Sequence, residues 1–150
     1  MTTTKFEPQS PDYARLVRNV FERTPFIVDL GIRLETVDAG YCVTSLAVTD
    51  RHRQQNGFIH AGVISTMADQ TAGATAGTLV KEGCNVLTVE YTIHFLRAAR
   101  GESLRCEGRV IKPGKSISRV EISVYINGAD EETLVSRAMV TLVVVQYAGS

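Results

Sequence analysis

The sequence predicts an α+β domain: a curled antiparallel sheet of about six strands around one long central helix, with a further helix at the N-terminus. Three observations lead there. The second half of the chain alternates apolar and polar residues in runs broken by turn residues, as half-buried antiparallel strands do. The stretch 60–80 has no such alternation and is rich in small and apolar residues. The order is then helix, two strands, long helix, four strands, and short links among the last four strands predict an antiparallel meander.

Taken in order, 150 residues fit one domain with a core of useful size. Residues 1–10 are polar, with Pro8, and read as a loose leader before a single domain over 11–150. Asp12 can cap a helix over 13–22, whose apolar positions Leu16, Val17, Val20 and Phe21 fall at helical spacing. Thr24-Pro25 stops it. A strand over 31–37, a turn at Asp38-Ala39-Gly40 and a strand over 41–49 follow, with Cys42, Thr44, Leu46 and Val48 on one face. After a polar loop over 50–57 comes the long helix, which Gly83 helps to end. Leu87, Val89, Tyr91, Ile93 and Phe95 alternate next, up to Arg100-Gly101. Leu104, Cys106, Gly108 and Val110 do so before Pro113-Gly114. Val120, Ile122, Val124 and Ile126 do so before Asn127-Gly128, a hairpin signal. A last strand covers 134–147. One antiparallel sheet and one mostly apolar helix are compact only if the sheet curls around the helix. That arrangement is the hotdog fold.

Composition narrows the function. Sixteen basic residues balance sixteen acidic ones, so binding of nucleic acid through bulk charge is not expected. The longest apolar run, 139–145, is too short to span a bilayer, and the first residues lack the apolar core of a secretory signal. Cys42, Cys84 and Cys106 have no CxxC spacing and read as reduced thiols of a cytoplasmic protein. Three scattered histidines form no metal-ligand cluster.

The chemistry concentrates between Gln54 and Asp69. At 100° per residue, Ile64, Met67, Ala68, Thr71, Ala72 and Thr75 form one face of the long helix and are expected to pack on the sheet. Gly62, Ser65, Asp69, Gly73 and Ala76 form the other, which is small rather than charged. Glycine costs a helix interior roughly 1 kcal/mol relative to alanine, so Gly62, Gly73 and Gly77 call for a compensating gain, usually close approach of another backbone or a ligand. Asp69 is either an ordinary exposed acid or Arg partner, or an access-limited carboxylate serving as general base or nucleophile. His60 at the helix entry either caps the loop or transfers a proton. The first N–H groups of a helix lack internal partners, so the N–H of Ala61 or Gly62 suits an oxyanion. Gly57 gives the loop its bend. Gln54, Gln55 and Asn56 offer amides that either hold a carbonyl oxygen or water, or are simply solvated.

His60 and Asp69 are nine positions apart, roughly 13–14 Å along a helix axis. One substrate carbonyl cannot touch both in a single chain. Two antiparallel copies of the helix, related by a two-fold axis, would bring the His60 end of one beside Asp69 of the other. The expected state is therefore a homodimer, or a dimer of dimers, with two composite sites per dimer.

His60-Ala61-Gly62 followed by Asp69 resembles the H-G-G-then-Asp signature of hotdog acyl-CoA thioesterases of the phenylacetate-pathway branch. The N-terminal helix, Leu30-Gly31-Ile32, the loop, the long helix and Phe95-Leu96-Arg97 fall in that family's order. The resemblance implies that Asp69 activates water or attacks the thioester carbonyl, that the Ala61 N–H forms the oxyanion hole, and that the Gln54 amide binds the thioester or water. It also implies that His60 supports the loop and that the Thr88 hydroxyl positions the water. Two departures stand out: Gln54 where asparagine is common, and Ala61 where glycine is usual. The acyl-CoA substrate carries phosphates, for which Arg97, Arg100, Lys112 and Lys115 at strand ends and turns are candidates. No metal or other cofactor is expected. The alternatives are a hydratase or dehydratase of the same fold with His60 as base, and a non-catalytic acyl-CoA binder.

Overall fold

The computed structural model describes residues 5–147. In chain order it contains helices α1 (Tyr13–Glu22) and α2 (Pro25–Leu30), strands β1 (Arg33–Asp38) and β2 (Tyr41–Ala47), and a 3₁₀ turn at Asp50–His52. Helix α3 (Ala61–Gly77) and strands β3 (Cys84–Phe95), β4 (Ser103–Lys112), β5 (Ile117–Asn127) and β6 (Glu132–Gln146) follow. The six strands form one antiparallel sheet in the order β1-β2-β4-β5-β6-β3. The sheet wraps α3, as the hotdog pattern requires.

The expected core face of α3 is the buried one. Ile64, Met67, Ala68, Thr71, Ala72 and Thr75 are all at most 3 % exposed. Four of the six are Ala or Thr, small side chains that let the helix lie low on the sheet. The approach is close at Gly108, where a Cβ would collide with the Thr75 hydroxyl. The buried threonines are satisfied locally: Thr71 Oγ1 donates to the Met67 carbonyl and Thr75 Oγ1 to that of Thr71, each at 2.7 Å. Ala76, expected on the small face, is buried as well. The last turns of α3 are enclosed by α1, whose Val17 lies 3.5 Å from where a Gly77 Cβ would stand.

Strand alternation places Leu104, Cys106 and Val110 of β4 and Val120, Ile122, Val124 and Ile126 of β5 in the core. The opposite face carries charge. Tyr41 donates to Glu107 at 2.7 Å, Arg105 bridges Glu107 and Glu132, and Arg109 lies over the Tyr41 ring. Burial, and then the Glu107 carboxylate, push the Tyr41 phenol up to about 12. Burial alone would raise Glu107, but the Tyr41 hydrogen bond and the nearby arginines outweigh it and hold the carboxyl below its ordinary value.

Three expectations change. The first helix ends before Thr24-Pro25 as expected, but Pro25 then opens an unforeseen second short helix, α2, which ends at Gly31 in the left-handed region (φ 87°). The last four strands are not one meander. Only β4-β5-β6 are, because β4 already has β2 on one edge and β5 on the other. The fifteen-residue β6 offers a free edge long enough for the twelve residues of β3. Finally, β3 does not keep one alternation. A bulge at Val89, between Thr88 and Glu90, shifts its register against β6, so Thr88 and Ile93 both turn toward the helix side.

Where the loose leader is expected, the described residues lie against the domain. Ser10 is buried, the Phe6 ring sits on Gly40, and Gln9 Nε2 donates to the Leu79 carbonyl at 2.7 Å. Residues 1–4 lie outside the described residues. Among the described residues, no helix is long and apolar enough to cross a membrane.

Candidate functional site

Two clefts open at different ends of α3. The first, about 420 Å³, lies between α1, α3 and the start of β3, and it contains Asp69 and Thr88. The second, about 430 Å³, lies between the loop before α3 and the segment after β3. It contains Gln54, His60, Ala61 and Arg97. The sequence-derived residues therefore separate into two groups, and in one chain the groups do not meet.

In the first cleft, Thr88 Oγ1 donates to Asp69 Oδ1 at 2.7 Å. This hydrogen bond fixes one carboxylate oxygen and leaves the other free to take a proton. Among the described residues Asp69 forms no ion pair. Leu16, Val17, Val20 and Phe21 of α1 line the same cleft. Val20, one of the apolar positions at helical spacing, is 52 % exposed where it lines this cleft.

The second cleft is built around the start of α3. His60 is the N-cap, and its Nδ1 accepts from the Gly62 N–H at 2.8 Å. That bond settles which backbone donor is free. Gly62 N–H is taken by His60, whereas Ala61 N–H has no partner among the described residues. It also explains Gly62: a Cβ there would stand 2.9 Å from His60 Nδ1. With Nδ1 accepting, a neutral imidazole carries its proton on Nε2 and offers a donor, not a base, from that nitrogen.

The loop is held from several sides. Gly57 takes φ 82°, which favours glycine. Gln54 Oε1 accepts from the Asn56 N–H, Arg53 donates to the carbonyls of Gly57 and Gly101, and Arg100 donates to the Asn56 carbonyl at 3.0 Å while stacking on Phe58. Arg100 and Asn56 thus brace the loop. Arg97 lines the cleft, with one nitrogen donating to the Leu134 carbonyl at 2.9 Å. Lys112 and Lys115 lie toward the other end of the domain. There Val110 N–H bonds Gly40, and Gly40 N–H bonds Thr78 just beyond α3.

One residue has a role that the sequence reading left out. His52 is 2 % exposed; its Nδ1 accepts from Thr49 N–H at 2.9 Å, and its Nε2 lies 2.8 Å from the Leu30 carbonyl. Its own carbonyl accepts from His60 N–H at 2.9 Å. His52 therefore ties α2 to the start of α3. Its only sequence cue is Thr49, three residues earlier, which forms a reciprocal cap with it.

Burial pushes the thiols of Cys42 and Cys106 up to about 12, which makes them inert at neutral pH. No cluster of three or more potential metal ligands occurs among the described residues.

A family model described as the thioesterase superfamily matches residues 56–133. A thioesterase family protein from Silicibacter pomeroyi is 33 % identical, covers 90 % of this chain and 99 % of its own, and superposes with a TM-score of 0.88. The 1,4-dihydroxy-2-naphthoyl-CoA hydrolase of Listeria monocytogenes is 26 % identical over 95 residues, which are 63 % of this chain and 77 % of its own. The PaaI protein of the E. coli phenylacetic acid degradation operon shares the fold, with a TM-score of 0.80 at 19 % identity over 95 % of this chain and 98 % of its own.

Proposed function

The chain belongs to the thioesterase superfamily, and from that premise we propose that it hydrolyses an acyl- or aryl-acyl-CoA to the free acid and CoA, in sites shared between two copies of the chain. One observation carries the reading. Asp69 is a carboxylate without a cationic partner among the described residues, oriented by Thr88 in the wall of a largely apolar cleft. The similarity to a naphthoyl-CoA hydrolase supports a CoA thioester as substrate.

Sharing of the site is supported by β3. It is an edge strand of twelve residues, and Leu87, Val89, Tyr91 and Phe95 are 42–57 % exposed along it. A long apolar edge of this kind invites pairing with another strand. Antiparallel pairing about a two-fold axis brings the Asp69 cleft of one copy to the His60 cleft of the other.

In that site the thioester carbonyl oxygen accepts from Ala61 N–H at the positive end of α3. Asp69 of the other copy removes a proton from water as the water oxygen bonds the carbonyl carbon and the carbonyl π pair moves to oxygen. When the carbonyl re-forms, the C–S bond breaks, its pair stays on sulfur, and the proton held by Asp69 passes to the thiolate. Arg97 retains N–H groups for a CoA phosphate.

The test is release of free thiol from a panel of acyl-CoAs, alongside the absorbance of enoyl-CoA formation. Thiol release that Asp69→Asn abolishes, with fold and subunit mass unchanged, supports hydrolysis. Undiminished release by Asp69→Asn overturns the assignment. Enoyl-CoA formation indicates a hydratase, and saturable CoA binding without turnover indicates a binding protein.

A further inference from the structure

We infer that Gly73 determines acyl-group specificity, by keeping open a channel that takes an apolar acyl group several atoms long beyond the reacting carbonyl. The inference rests on the reading of Asp69 as the reactive carboxylate.

Glycine is a poor residue for a helix interior, and the three glycines of α3 have different surroundings. A Cβ at Gly62 would stand 2.9 Å from His60 Nδ1, whereas one at Gly77 would make an ordinary contact with Val17 of α1 at 3.5 Å. Gly73 has neither neighbour: a Cβ there would meet nothing within 4 Å. What lies beside it is space, because Gly73 lines the cleft that holds Asp69. It follows Asp69 by four residues, so it shares that face of the helix and stands about 6 Å further along.

An acyl group whose carbonyl carbon is beside Asp69 would run over Gly73 toward Gly77, about 12 Å along the axis. The facing walls are apolar: Leu16 and Val20 from α1, and Val86 and Leu87 from β3. A Cβ at position 73 would point into this path and meet no atom of the chain within 4 Å.

The experiment measures kcat/KM for acetyl-, octanoyl- and phenylacetyl-CoA with the wild type, Gly73→Val and Val20→Phe, and the affinity of each protein for octanoate by calorimetry. The channel predicts that Gly73→Val raises the acetyl-to-octanoyl ratio by about tenfold or more, the usual scale for apolar-pocket discrimination. It also predicts weaker octanoate binding, and a shift in the same direction for Val20→Phe from the opposite wall. Unchanged ratios and octanoate affinity in both variants would overturn the inference. A Gly73→Val that loses its native subunit mass, beside a Val20→Phe with an unchanged profile, would also overturn it by assigning the glycine to subunit packing. If the wild type releases no thiol, the hydrolase reading falls, and octanoate binding decides the channel alone: retained affinity in both variants refutes it, and weakened affinity supports it.

Discussion

Thr88, on β3, donates a 2.7 Å hydrogen bond to Oδ1 of Asp69, on α3. Residues nineteen positions apart, on two different elements, thereby fix one carboxylate oxygen. Asp69→Asn is expected to reduce kcat by about 10²–10⁴-fold, the range for loss of a general base. Thr88→Val leaves the base but frees it to rotate, so kcat should fall about tenfold, equivalent to one net hydrogen bond, with KM little changed. Steady-state kinetics on both variants measures the split.

The shared site predicts complementation. Asp69→Ala and Gln54→Ala are each impaired at a different half. After subunit exchange, mixed dimers should regain about one intact site per dimer. Activity that stays at the level of the separate variants, once exchange is verified by mass, would rule out sharing.

The cap at α3 predicts a loss of stability separable from chemistry. His60→Ala removes the acceptor of Gly62 N–H and should cost about 1 kcal/mol. His60→Asn or His60→Ser restores a capping oxygen and should recover most of it. Urea denaturation monitored by circular dichroism provides the comparison.

Two groups of residues set the pH dependence of stability. Cys42 and Cys106 have thiols raised from 9.0 to about 12, and Tyr41 a phenol raised from 10.0 to about 12. Between these values the folded chain binds more protons than the unfolded one, so stability declines as pH rises above 9. Glu107 and Glu132 have carboxyls held below 4.5, Glu132 chiefly by its hydrogen bond to Arg105. Their contribution is present above that value and is lost as pH falls below it. Denaturation midpoints from pH 3 to pH 11 should show both declines, and Cys42→Ala should flatten the alkaline one.

β5 was legible because its faces differ in polarity, Val120 to Ile126 alternating with polar residues. α3 was legible for another reason: its run is small and apolar with no strand alternation, and Ile64, Met67, Thr71 and Thr75 repeat at helical spacing. Asp69 was legible as the one carboxylate on a small-residue face. Partner choice was not legible, since alternation says which face of β3 is apolar and nothing about which strand has a vacant edge. The Val89 bulge was hidden for a related reason: Leu87, Val89, Tyr91 and Phe95 are all apolar, so the run reads as continuous while its register shifts. His52 was hidden because its partners, Leu30 and His60, are engaged through their backbone, which the sequence does not label.

β3 is both a wall of the Asp69 cleft and the open edge of the sheet. Under the proposed pairing, chemistry and assembly depend on the same twelve residues. Specific activity should then depend on concentration, collapsing on dilution below the dissociation constant of the dimer. Charge placed on the strand away from the carboxylate, as in Tyr91→Glu, should move that collapse to higher protein concentration. Such a chain would report its own abundance, remaining silent when scarce and becoming active as copies meet.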